Sequence, residues 1–288
     1  MQTMTVKDFV ELLKLKQTAL LVFTAIAAYF AAPAQSWSLK TAALLFVSEV
    51  LAVGGTTAVN MYFDRDIDAL MDRTKERPLP AGRLNPPISL AYGLAVYAAG
   101  LALSLMVSFY LFVTVLLGFV FDIFVYTLYF KRKTPLNIIF GGVAGGMPAM
   151  GGWLTRTGTF DPGALLAFLL VFLWIPMHIW FISIYYLDDY KKSGVPMLPV
   201  VVGPVRTAKF IMASLVLLEA VVMVMTALQY ATLFTLVVST LLTAFSIRVM
   251  WRFSRDPRRE VAKQLFKFAS PYLAVVFICI IIGRLLGI

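Results

Sequence analysis

The chain has 288 residues, 60% of them hydrophobic and 14% charged, with a mean hydropathy of +0.86. A soluble domain of this size cannot bury that much apolar side chain, so composition excludes a soluble globular enzyme. The formal net charge is +10, but the basic residues come in short packets between long apolar runs, a pattern of membrane topology rather than of a nucleic-acid-binding face.

At the start, Leu12, Leu13 and Leu15 stand among Lys7, Lys14 and Lys16, which predicts a short interfacial helix. A bilayer-crossing helix needs about 20 apolar residues. Nine runs approach that length, at 18–34, 39–59, 88–107, 109–130, 136–154, 163–186, 208–228, 231–250 and 268–287. Runs this continuous favour helices over the alternating pattern of a membrane barrel. The predicted fold is therefore an all-α integral membrane bundle of nine transmembrane helices, built as one domain over 1–288. A signal peptide cleaved near Ala32-Pro33-Ala34 is a competing reading of the first run, against which eight further runs follow. Segments 1–17, 60–87, 131–133, 186–209 and 248–267 hold 22 of the 25 Lys and Arg, leaving Lys40, Arg156 and Arg284 elsewhere. Positive charge stays inside, so the N-terminus is predicted to be cytoplasmic and the C-terminus external.

Cys279 is the single cysteine and His178 the single histidine. Cysteine- and histidine-cluster metal sites are excluded, and a bound metal would need oxygen ligands. The second run leads into Asn60, Asp64 and Asp68, spaced by four, which on a helix project from one face. Two carboxylates and an amide oxygen in that register suit Mg²⁺ with room for phosphate oxygens. Arg73 and Arg77 follow, also four apart, and guanidinium forks suit a diphosphate. Pro78 and Pro80 are expected to end the helix. The alternative is a solvated loop whose bases hold topology and whose acids pair with them.

A second packet closes the sixth run. Here His178, Tyr185 and Asp189 share a predicted helical stripe with Asp188 beside it. Both packets fall on the same predicted side, where they can converge as a two-sided metal clamp. His178 lies about two turns below the surface. It is either a packing residue or, as an ionisable group inside a span, a functional candidate. Glu49, Asp122 and Glu219 are further acids at membrane depth; Asp122 precedes Tyr126 by four, and Glu219 has no evident partner.

The run Asn-x-x-x-Asp-x-x-x-Asp followed by Arg-Thr-x-x-Arg-Pro-Leu resembles the first motif of the UbiA superfamily of intramembrane prenyltransferases. Three further stretches resemble the branch that farnesylates protohaem: Tyr126 to Asn137, running into Gly141-Gly142-Val143-Ala144-Gly145-Gly146; His178; and Asp188-Asp189-Tyr190 to Pro196-Met197-Leu198-Pro199. One departure is that Ile175 and Met177 stand where that branch usually has Gln and Pro, with proline at Pro176.

The resemblance implies transfer of farnesyl from farnesyl diphosphate to a vinyl group of haem B, with addition of water and loss of diphosphate. It implies Mg²⁺ on Asn60, Asp64, Asp68, Asp188 and Asp189, and diphosphate oxygens on Arg73, Arg77, Lys131 and Arg132. Substrate contacts are implied for Tyr126, Asn137, His178 and Tyr185, with His178 on haem iron or a propionate. The four glycines would admit close helix approach or a flat macrocycle. A plasma-membrane location and contact with haem A synthase follow from the same resemblance, while the charge topology puts the active site toward the cytoplasm. Rival readings are a family member with an aromatic or lipid acceptor, a secondary transporter, or a passive haem-binding scaffold.

Overall fold

The computed structural model describes residues 4–33 and 37–287. Ala34, where the first predicted span and the alternative cleavage site end, lies outside them. The described elements are all helical, in the order α1 Val6–Leu12, α2 Leu15–Ala31, α3 Leu39–Leu70, α4 Pro86–Val107, α5 Phe109–Phe130, α6 Asn137–Thr157, α7 Pro162–Tyr185, α8 Leu187–Lys192, α9 Leu198–Ala227, α10 Leu233–Arg255 and α11 Arg259–Leu286. Among the described residues, eight helices (α3 to α7 and α9 to α11) are long and apolar enough to cross a bilayer, and α2 is a shorter apolar helix of 17 residues. The protein is an all-α integral membrane bundle; eight of the nine predicted runs fall on helices of spanning length, and the described part of the first falls on the shorter α2. The predicted interfacial helix is α1, with Leu12 fully buried beneath it.

Helix starts follow from local chemistry. Asp161 Oδ1 accepts the N–H groups of Gly163 (2.7 Å) and Ala164 (3.2 Å) ahead of Pro162, and Ser38 Oγ accepts the Thr41 N–H at 3.2 Å. Packing depends on missing side chains at two crossings. A Cβ on Gly55 of α3 would lie 2.3 Å from the Tyr97 nitrogen of α4, and one on Gly152 of α6 would lie 1.9 Å from the Ala25 carbonyl oxygen of α2. Sequential helices joined by short loops pack side by side, α2 touches α3, α6 and α11, and α7 packs on α6, α9 and α11. Glu219 of α9 finds its partners on α10, accepting hydrogen bonds from Ser239 (3.0 Å), Thr240 (2.6 Å) and Thr243 (3.0 Å).

Four departures from a straight-helix reading shape the site. First, α3 runs 32 residues, about 48 Å at 1.5 Å per residue, well beyond the roughly 30 Å hydrocarbon core. It therefore carries Asn60, Asp64 and Asp68 as helical residues past the predicted span end at 59. Second, α3 stops at Leu70 and not at Pro78. Met71 is extended (φ −99°, ψ 127°), Thr74 Oγ1 donates to the Asp68 carbonyl at 2.9 Å, and Asp189 accepts the N–H groups of Asp72 and Arg73, both at 3.2 Å. Third, the second half of α5, Val120–Phe130, is wound as a π-helix, so residues four and five apart share a face. Fourth, α7 ends at Tyr185 because Tyr186 leaves helical geometry (φ −100°, ψ 36°), which breaks the predicted stripe through His178, Tyr185 and Asp189.

Candidate active site

A cavity of about 900 Å³ is lined by α2, α3, α5, α6, α7 and α11. Its charged mouth is built by the last turns of α3, the loop after them, the end of α5 and the residue joining α1 to α2. Its inner part is mostly apolar and aromatic, with Glu49 and Asp122 also on its lining.

At the mouth, each of the three registered residues of α3 has a basic partner. Lys14 Nζ donates to Asn60 Oδ1 at 3.0 Å, the Lys131 ammonium pairs with Asp64 Oδ2, and Arg77 donates to Asp68 Oδ2 at 2.7 Å. Asn60 Nδ2 in turn donates to Thr127 Oγ1 of α5 at 2.8 Å. Arg73 reaches over the Tyr186 ring, 5.1 Å from its centroid, toward the Tyr190 hydroxyl at 3.5 Å. Four basic side chains thus face two carboxylates, a surplus of positive charge suited to an anion. Burial pushes the Lys14 ammonium down to about 8, with Arg77 adding to the shift. Burial alone would lower Lys131 as well, but the Asp64 carboxylate outweighs it and holds the ammonium above its ordinary value.

Two buried polar atoms here have no partner: Asp64 Oδ1 and Arg73 Nε. An unpaired carboxylate oxygen and an unpaired guanidinium N–H, both desolvated, are costly unless a ligand completes them. A cation on Asp64 Oδ1 and an anion on Arg73 Nε would do so. The donor set fits Mg²⁺: a carboxylate with a free oxygen, with an amide oxygen and a second carboxylate in register. Among the described residues, no three His, Cys, Asp or Glu side chains are already gathered as a metal site. An ion seated there would require an exchange of partners, with Lys131 and Arg77 released from Asp64 and Asp68.

The remaining predicted residues divide. Tyr126 and His178 line the cavity. Gly141 lies against Tyr126, where an added Cβ would sit 3.0 Å from the ring. The His178 ring stacks on Trp174 at 4.8 Å between centroids and lies 4.7 Å from Phe266, and its Nδ1 is buried without a partner. Asp189 is buried, but both its oxygens hold the backbone of the loop after α3, so it joins the two packets through main chain. Asp188 is not brought to the mouth: its side chain is 57% exposed and pairs with Arg259 at 2.8 Å. Arg132 also faces away, forking onto Asp66 at 2.6 and 2.7 Å. Asn137 is fully buried and donates to the Lys131 carbonyl at 3.0 Å, fixing the turn that carries Lys131. Tyr185 accepts a hydrogen bond from Lys263 at 3.0 Å outside the cavity. Sequence reading missed Lys14, Thr127 and Tyr190 at the mouth. Lys14 could have been found from its place one residue before an apolar run that opens on the charged side.

A model of the UbiA prenyltransferase family matches residues 21–271. A protein of Aeropyrum pernix named protoheme IX farnesyltransferase is 45% identical over 281 residues, 97% of this chain and 92% of its own. One of the same name from Archaeoglobus fulgidus is 41% identical, covering 96% of this chain and 98% of its own. Among solved structures, a UbiA homologue from Archaeoglobus fulgidus bound to DMAPP and Mg²⁺ superposes with a TM-score of 0.71 at 20% identity, covering 95% of this chain and 99% of that one. A structure of digeranylgeranylglyceryl phosphate synthase gives a TM-score of 0.77 at 20% identity, covering 96% and 98%. At such identities these superpositions speak for the fold.

Proposed function

The chain belongs to the UbiA prenyltransferase family, and on that premise we propose that it transfers the farnesyl group of farnesyl diphosphate to a vinyl group of haem B with addition of water, giving haem O and diphosphate. The carrying observation is one continuous cavity that joins a basic and acidic mouth to an aromatic-walled chamber. The mouth suits a diphosphate head. The chamber beneath suits an isoprenoid tail and a flat macrocycle, with Trp174, His178 and Phe266 forming one wall. The name carried by the full-length relatives supports haem B as the acceptor.

Asn60, Asp64 and Asp68 would hold Mg²⁺, with Asp64 Oδ1 as the open position. Bound there, the ion supplies charge neutralisation for the departing diphosphate. Lys14, Arg73, Arg77 and Lys131 bind the diphosphate oxygens and stabilise the charge that gathers on them as the C–O bond breaks. Asp189 holds the loop that presents Arg73 by accepting its backbone N–H. The mostly apolar chamber would keep stray water from the allylic cation, and the Tyr126 ring, which already faces the Lys131 ammonium at 5.5 Å, could stabilise positive charge on carbon. The basic loops on the mouth's side of the bundle support a cytoplasm-facing site.

Expression in a host that makes haem B but no haem O tests the reading. Extracted pigment should gain the mass of haem O with the intact chain and lose that gain with Asp64→Asn. Unmodified haem beside a prenylated aromatic acid would replace haem B with another acceptor.

A further inference from the structure

Alkylating a carbon–carbon double bond leaves one proton to dispose of. The C1–O bond of the prenyl diphosphate breaks and its electron pair leaves with the diphosphate. The acceptor's π pair forms the new C–C bond, and positive charge moves to the neighbouring acceptor carbon. That carbon either binds a water oxygen, which must shed a proton, or, in an aromatic ring, loses its own hydrogen as a proton. A base inside the cavity is needed in both cases.

Few carboxylates can reach. Asp64 and Asp68 lie at the mouth, paired with Lys131 and Arg77 in the free chain and taken by the ion in the proposed reaction. Glu49 also lines the cavity, but it precedes Asn60 by eleven residues on α3, about 16 Å deeper. Asp122 differs from all three. It lines the cavity from the π-wound part of α5, one π turn before Thr127, the residue bonded to Asn60. This puts it one turn inward of the groups proposed to bind the diphosphate. Its carboxylate takes no hydrogen bond from a described residue, and the charged groups facing it are Lys14, Lys131 and Asp64. No structural partner occupies it.

We infer that Asp122 is the catalytic base that accepts the proton released when the prenyl cation alkylates its carbon acceptor. With haem B this is a proton of the water that adds to the vinyl-derived cation, and the proton leaves Asp122 with the products. The inference deepens the proposed function and rests on carbon alkylation, not on haem as the acceptor.

The test uses purified full-length chain in lipid nanodiscs with Mg²⁺, farnesyl diphosphate and, separately, haem B or an aromatic acid. Diphosphate release, alkylated product and farnesyl diphosphate binding are measured in parallel. In the isosteric Asp122→Asn variant, alkylated product should fall at least about 100-fold, while farnesyl diphosphate affinity stays within about threefold and diphosphate release continues with farnesol as the product. In Asp122→Ala, added formate should restore part of the alkylation. Wild-type alkylation by Asp122→Asn would overturn the assignment, as would binding loss in proportion to product loss without formate rescue, which would place Asp122 in the diphosphate pocket. If wild-type chain alkylates only the aromatic acid, haem B falls as the acceptor while Asp122 is tested unchanged on loss of the ring proton. If neither acceptor is alkylated, the inference falls with the reading it rests on.

Discussion

Lys14 Nζ donates to Asn60 Oδ1 across 3.0 Å, tying the residue between α1 and α2 to the first of the three registered residues of α3. Lys14 is held in the left-handed region, at φ 44° and ψ 55°. That conformation costs a non-glycine residue roughly 1–2 kcal/mol and persists only where its surroundings impose it. Here those surroundings include α1, which Arg83 ties to the loop after α3 by ion pairs with Asp8 (2.7 Å) and Glu11 (3.1 Å).

A pH dependence follows. Burial lowers the Lys14 ammonium to about 8, so in the free protein it loses its proton as pH rises through that value. The sign for stability is the reverse of a paired lysine: the buried charge opposes folding below pH 8, and the opposition fades between 8 and the unfolded value near 10.4. For binding, a diphosphate favours the charged form. Affinity for farnesyl diphosphate should therefore fall about fivefold between pH 8 and 9, as one proton with a pKa of about 8 requires. Calorimetric titration across that range checks it, and Lys14→Gln should flatten the slope. An unchanged slope in that variant would assign the titration to another group.

The adjacent acids Asp188 and Asp189 should behave differently. Asp188 is exposed and bound to Arg259, an ion pair of small value at a surface. Asp189 is buried, and each oxygen holds a backbone N–H of the loop after α3. Asp188→Asn should change turnover by less than about threefold. Asp189→Asn can satisfy only one of the two N–H groups with its single oxygen, and leaving the other unmet costs roughly 1–3 kcal/mol. The loop carrying Arg73 should loosen, with turnover down at least about tenfold and faster hydrogen exchange over 71–77. Equal losses in the two variants would mean both aspartates serve the ion directly.

The placing of eight apolar runs on spanning helices was legible in the sequence because bilayer thickness dictates their length. The register of Asn60, Asp64 and Asp68 was legible because it depends only on helical periodicity. What periodicity could not reveal were its interruptions. The stripe from His178 to Asp189 fails at Tyr186, and α3 ends at Leu70 because Asp189, more than a hundred residues away, captures the next two N–H groups. Lys14 was only half legible. Its place on the charged side ahead of the first apolar run could be read, but its bond to Asn60 rests on a left-handed bend and a contact 46 residues distant, and neither leaves a local pattern.

Gly152 tests the packing that shapes the bundle. A Cβ there would meet the Ala25 carbonyl oxygen at 1.9 Å, and a backbone atom cannot swing aside as a side chain can. Gly152→Ala should force α2 and α6 apart and destabilise the protein by roughly 1–3 kcal/mol. Thermal unfolding in detergent measures the loss. A melting temperature equal to that of the wild type would show that the two helices can separate freely.

His178 tests the division of the cavity into head and acceptor ends. Its ring sits between Trp174 and Phe266, and its Nδ1 is the buried polar atom that those aromatic neighbours leave without a partner. His178→Phe keeps a ring of similar shape between them and removes only the nitrogens. If Nδ1 serves the acceptor, the KM for haem B should rise about tenfold, the loss of about 1.4 kcal/mol expected for one interaction. The KM for farnesyl diphosphate should stay within about twofold, because the diphosphate is held by Lys14, Arg73, Arg77 and Lys131 at the other end. Steady-state kinetics with each substrate varied in turn separates the two. A parallel rise in both KM values would mean that His178 shapes the whole cavity, and the aromatic wall would then no longer be reserved for the acceptor.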